Sequence, residues 1–116
     1  MIPTENLSEY ADAVMRLYLQ LPETPLKPNA NDRQTAESLR ARRIDLKAVE
    51  SALLLGSIRR LSRPRDLPPL SPIRSLAYFL PVIEEILFNP LPADYLQYLR
   101  KKVGLLNGRG KTIKPP

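Results

Sequence analysis

The sequence predicts an all-α protein, a single compact domain of about five helices gathered round one central apolar helix. Three observations carry this. Apolar residues recur at helical spacing in five separate stretches. No stretch alternates apolar and polar residues for long enough to form a strand. Proline and asparagine clusters fall between the periodic stretches, where loops are needed. At 116 residues the chain suits one domain. A chain of this size buries about 65% of its unfolded surface, enough for one core without staples.

Taken in order, Leu7, Tyr10, Ala11, Val14, Leu17, Tyr18 and Leu21 form the inward stripe of a first helix over residues 6–21. Asn6 with Glu9 resembles a capping box, Thr4 is the competing cap, and Pro22 stops the helix. PETPLKPNAN at 22–31 is a loop. Asn31 or Asp32 then caps a short helix over 32–42, with Ala36 and Leu39 inward. Asp45 caps a third helix that ends near Leu61, and Ile44 and Val49 are placed as its hydrophobic staple. Gly56 allows a close approach on that helix.

Pro64, Pro68, Pro69 and Pro72 make residues 63–72 a stiff, extended connector. Pro69 and Pro72 have PxxP spacing. Asp66 stands where an SH3-type ligand would need a base, so the connector reading is the one taken. Residues 71–88, SPIRSLAYFLPVIEEILF, are apolar almost all round and are assigned as the central helix. Ser71 is its cap, Pro72 its first residue and Pro81 the cause of a kink. Leu76, Leu80, Ile83 and Leu53 are expected among the most buried side chains. Glu84 and Glu85 are expected to form a solvated edge. Pro92 opens a last helix over 92–103 with Tyr95, Leu96, Leu99 and Val103 inward and Gly104 as its C-cap. The expected domain therefore spans 1–104, followed by a flexible basic tail at 105–116.

Composition excludes several function classes. There is no cysteine and no histidine, so disulfides, thiolate chemistry and the usual general base near neutral pH are absent. Adjacent carboxylates such as Glu84 and Glu85 diverge by about 100° on a helix and do not converge on a metal or a substrate. GRGK at 108–111 is no phosphate loop, because no helix follows it. An enzyme, a metal site and a cofactor are all unexpected. No apolar run is long enough to cross a membrane, and the acidic N-terminus has no secretory pattern, so the cytoplasm is the expected compartment.

Charge is the best functional signal. The net charge is +6. It alternates along the chain: −3 over residues 1–32, +6 over 33–65, −3 over 66–94 and +6 over 95–116. The middle basic block holds Arg33, Arg40, Arg42, Arg43, Lys47, Arg59, Arg60, Arg63 and Arg65, arginine in all but one case, which suits bidentate phosphate contact. Arg100, Lys101 and Lys102 begin the second. These twelve are the candidate nucleic-acid-binding residues. The alternative is that they neutralise the acidic blocks inside the fold.

Ala36, Leu39, Leu46 and Val49 also match helix-turn-helix spacing. Arg40 replaces the usual turn glycine, however, and Ala52 to Leu55 is apolar where a recognition helix needs polar residues. An ordinary helical hairpin is the better reading. Over residues 33–88, the sequence VESALLLGSIRR, the connector and IRSLAYFLPVIEEIL with Tyr78 and Ile83 resemble the C-terminal helical domain of the DnaD-type primosome proteins. They also resemble small helical accessory proteins of bacterial mobile elements. The family's tryptophan in its last helix has no counterpart here. The resemblance implies DNA binding in a replication, recombination or mobile-element context, as part of a larger assembly. The expected function is a small nucleic-acid-binding accessory protein, DNA being favoured. The alternative is a helical adaptor whose basic surface binds an acidic protein.

Overall fold

A computed structural model describes residues 3–110 of the chain and the side-chain surroundings of residues 9–106. Within them lie five α-helices, one 3-10 helix and no strand. The helices are α1 (Pro3–Leu19), α2 (Asp32–Ala41), α3 (Leu46–Leu61), α4 (Leu80–Phe88) and α5 (Tyr95–Gly110), and the 3-10 helix is Leu76–Phe79.

Helix α1 buries Ala11, Val14, Met15 and Tyr18. It is already helical at Pro3, so Asn6 lies inside the helix and is not its cap. The side chains of Thr4, Asn6 and Leu7 lie outside the described ones. After α1, Pro22 and Glu23 turn the chain with Glu23 at φ 68°, a type II pattern with proline followed by a left-handed residue. The Thr24 hydroxyl closes the turn by donating to the Leu21 carbonyl at 2.7 Å. Of the two tyrosines of α1, Tyr10 sits at the core edge and Tyr18 inside the core. Tyr10 donates to the Ile44 carbonyl at 2.8 Å. Its phenol is pushed up to about 12 by burial first and by the nearby Asp45 second, against the opposing charge of Arg40. Tyr18 is fully buried and is also raised to about 12, by burial and then by Asp32.

The α2–α3 corner is built by local chemistry. Helix α2 ends in a Schellman motif: Ile44 N–H reaches the Leu39 carbonyl at 3.2 Å and Arg43 N–H reaches the Arg40 carbonyl at 2.8 Å. Leu39 and Ile44, its hydrophobic pair, are both buried. Arg43 occupies the left-handed position with φ 61°, where glycine is the usual residue. Asp45 then caps α3 by accepting from Lys47 N–H at 3.2 Å, and Val49 is buried beside Ile44 in the core cluster as a staple requires.

The central helix is α3, not residues 71–88. It packs against α1, α4, α5 and the 3-10 helix, and Val49, Ser51, Ala52, Leu53, Leu54, Gly56 and Ser57 are buried along it. Residues 71–75 are not helical; Ser75 is extended at φ −153° and ψ 158°. Two physical reasons break the expected long helix. Within a continuous helix the Pro81 ring would clash with the Ala77 carbonyl; the chain instead begins a new helix at Leu80, with Pro81 in its first turn. The second reason is Asp32, whose side chain is only 1% exposed. Its carboxylate accepts from Leu76 N–H at 3.0 Å and from Asn29 N–H at 2.8 Å. It therefore caps the 3-10 helix from 44 residues away, while Asn31, at the N-cap of α2, makes no side-chain cap bond.

The burial of this region follows. Leu76, Phe79, Ile83 and Ile86 face the core and Leu53 is fully buried, but Leu80 is only half-buried. Tyr78, Leu87 and Phe88 are exposed, Phe88 at 93%. The expected C-cap at Gly104 is also absent. No described glycine has positive φ, and α5 runs through Gly104 to Gly110. Residues 105–110 are thus helical, and the rest of the expected tail, 111–116, lies outside the described residues. On α5, Leu96, Leu99 and Val103 are buried and Tyr95 is exposed, in contact with Tyr98 at 5.1 Å between ring centroids.

Two stability measurements test this architecture. A Cβ at Gly56 would lie 2.8 Å from two ring carbons of the buried Phe79. Helix propensity favours Gly56→Ala by about 1 kcal/mol, while overpacking costs about 1–3 kcal/mol, so urea unfolding should show a net loss. A stabilised variant would show that Phe79 does not abut α3. Asp32→Ala strands two N–H groups and should cost about 2–4 kcal/mol; a loss below about 1 kcal/mol would remove Asp32 as the cap.

Candidate nucleic-acid interface

The twelve candidate cations divide by what they touch. Five are bonded to carboxylates. Arg33 contacts Asp12 at 2.8 Å and Glu37 at 3.5 Å. Arg42 grips Glu84 through two nitrogens at 2.6 and 3.1 Å, and Arg59 grips Glu85 at 2.6 and 3.3 Å. Arg100 grips Glu50 at 2.8 and 2.9 Å. Arg60 bonds Glu23 at 2.7 Å.

These pairs engage five of the twelve side chains within the fold, as the charge-neutralisation alternative expects. Each has a physical cause. Glu50 is only 13% exposed, and a carboxylate so placed needs a cation. Glu84 and Glu85 leave α4 in different directions, so one meets Arg42 at the end of α2 and the other Arg59 on α3. Both stay exposed, as the sequence predicts for a solvated edge, and each is paired there with an arginine. Their arginine bonds hold both carboxyls below the usual range. The same bonds, to Asp12, Glu84 and Glu50 respectively, raise Arg33, Arg42 and Arg100.

Arg60 is the most enclosed of the group, its side chain 7% exposed. Besides Glu23 it donates to the Tyr78 hydroxyl at 3.1 Å and the Ser71 carbonyl at 2.8 Å, and its guanidinium lies 5.3 Å from the Tyr78 ring centre. All three nitrogens are spent, and they join α3, the 22–24 turn and the connector. Burial works against its charge, and the bonds to Tyr78 and Glu23 more than offset that. Arg63 donates only through Nε, to the Pro68 carbonyl at 3.2 Å.

The others remain. Arg40, Arg43, Lys47, Arg65, Lys101 and Lys102 make no ion pair with any described residue. Arg40, Arg43 and Lys47 gather at the α2–α3 corner, while Lys101 and Lys102 lie on α5. Helix α3 itself offers no groove-reading face. Ser51 is buried, its hydroxyl donating to the Lys47 carbonyl, and Glu50 is bound to Arg100. Among the described residues no group of His, Cys, Asp or Glu is placed to hold a metal, and no helix is long and apolar enough to cross a membrane. No family model, curated protein or solved structure matches the chain.

The lowered Glu84 and Glu85 set a pH expectation. A carboxylate with a depressed folded pKa contributes stability above its unfolded value of about 4.3 and loses it as pH falls through the folded value. Melting temperature should thus fall with acidification below that point, and Arg42→Ala with Arg59→Ala should reduce the fall. An acid limb unchanged in the double variant would show that these pairs do not form in solution.

Proposed function

We propose that this chain is a small helical nucleic-acid-binding accessory protein that holds phosphates with the cations left over after internal pairing. The observation that carries the reading is an asymmetry. Asp12, Glu23, Glu37, Glu50, Glu84 and Glu85 are bound by arginines. Asp32 and Asp45 are bound by backbone N–H groups. Glu9, Asp66 and Asp94 are the carboxylates left among the described side chains. Against these stand Arg16, Lys27, Arg40, Arg43, Lys47, Arg63, Arg65, Arg74, Lys101 and Lys102. The pairs use up arginines and carboxylates together, and the side chains left outside them are mainly cationic.

Arg43 supports the same reading from the backbone. A non-glycine residue in the left-handed region carries strain, and such strain is retained where a side chain has a use. The context is the one that the resemblance of residues 33–88 implies: replication, recombination or a mobile element. The adaptor reading is favoured by one feature, Phe88, which a phosphate ligand leaves unused at 93% exposure.

Binding to labelled single-stranded and duplex DNA and to RNA across a salt series tests the proposal. On duplex, log affinity should fall with log salt by about 0.9 per phosphate neutralised. Arg43→Gly with Lys47→Ala should flatten the slope by about 0.9 for each side chain and weaken all sequences alike. Arg43→Gly alone should also raise the melting temperature by relieving strain, whereas Arg42→Ala should leave the slope where it was. An unchanged slope in the double variant would take the contact away from the α2–α3 corner. No affinity at low salt, with capture of an acidic protein, would leave the adaptor.

A further inference from the structure

Two adjoining concavities, of about 530 and 410 Å³, lie along the C-terminal half of α3 beneath the 62–75 connector. They share Arg60, Arg63 and Leu70 and so form one groove. We infer that this groove binds a segment of single-stranded nucleic acid, with phosphates on Arg63 and Arg65 and unstacked bases on the apolar wall. The inference rests on the phosphate-binding reading above and names the strand type and the path.

The groove is built rather than incidental. Arg60, almost fully enclosed, ties its walls together through Ser71, Tyr78 and Glu23. Glu23, the carboxylate on the lining, is held in the left-handed region, which a glycine would occupy without strain but without a bond to Arg60. The connector wall is prolines, which have little freedom left to lose when a ligand docks.

Its chemistry divides into two kinds. Arg63 spends Nε on the Pro68 carbonyl and keeps both terminal nitrogens, and Arg65 is unpaired. Both suit the forked contact of guanidinium with phosphate. Leu67, Leu70 and Tyr78 are 44%, 42% and 43% exposed on the same lining. A duplex hides its base faces in the stack and offers a protein phosphates and groove edges. Apolar walls gain nothing from it. A single strand presents bases whose faces bury against such walls while its phosphates track a basic groove.

The test is anisotropy of a labelled oligothymidylate of about 20 nucleotides, long enough to cover one small domain, beside a duplex of the same length. Leu67→Ser with Leu70→Ser changes two exposed side chains, and thermal melting checks that the fold is kept. This variant should lose about tenfold in single-strand affinity with the salt slope and the duplex affinity unchanged. Arg65→Ala should flatten the single-strand slope by about 0.7. Wild-type single-strand affinity in the folded leucine variant, or equal losses on strand and duplex, overturns the groove and leaves the wider phosphate reading standing. No binding to any nucleic acid at low salt overturns both. Binding of a leucine-containing polyglutamate peptide, with no oligothymidylate bound, overturns the inference by giving the groove to a protein.

Discussion

The fold depends on one buried carboxylate. Asp32 stands at the first position of α2, nearly without solvent, and both of its oxygens accept backbone N–H groups. One bond shapes the loop that precedes α2; the other captures Leu76 at the far end of the connector. A carboxyl group in such a place is tolerated because hydrogen bonds replace the water it has lost. In return it decides where the 3-10 helix starts. That start sets the positions of Phe79 against Gly56 and of Pro81 at the head of α4. Hydrophobic burial supplies the driving force here as elsewhere, but it is indifferent to register. The directional bonds to Asp32 select one register for the chain after residue 75.

Electrostatics acts at two levels. Within the fold, bidentate arginine–carboxylate pairs join α2 to α4, α3 to α4 and α3 to α5. Most are exposed to solvent, so their value lies in orientation more than in energy. Outside it, most of the described carboxylates sit beside a guanidinium, so the unpaired surface charges are mainly cationic. The binding proposal rests on these unpaired cations.

What could be read from the sequence was local. Asp45, Ile44 and Val49 announced the start of α3 because a cap and its staple lie within five residues of each other. The inward positions Ala36 and Leu39 followed from period alone. Residues 71–88 were misread because apolar spacing does not distinguish one long helix from an extended segment, a 3-10 turn and a short helix that bury a similar stripe. Pro81 fits either a kink or a start. The deciding bond, from Asp32, spans 44 residues and leaves no local mark. Gly104 was read as a stop because glycine is common there, yet a helix tolerates one at a cost of about 1 kcal/mol. The basic site was legible as a composition. Arg33 with Glu37 follows from their i,i+4 spacing, but which arginines meet Glu23, Glu50, Glu84 and Glu85 does not, since those partners are distant in sequence.

Glu84 and Glu85 have a further consequence. Consecutive residues on a helix point about 100° apart, so their two arginine partners pull on α4 from different sides. Ile83 and Ile86 set which face of α4 is buried, and two pairs about 100° apart resist rolling in either direction from that setting. Phe88 is one turn beyond both, and its ring, 93% exposed, is held outward by that setting. Rolling α4 far enough to tuck the ring away would pull both carboxylates off their guanidiniums. The exposure of Phe88 thus goes with the burial of Ile83 and Ile86 on the other side of α4, a rotational setting that the two pairs reinforce.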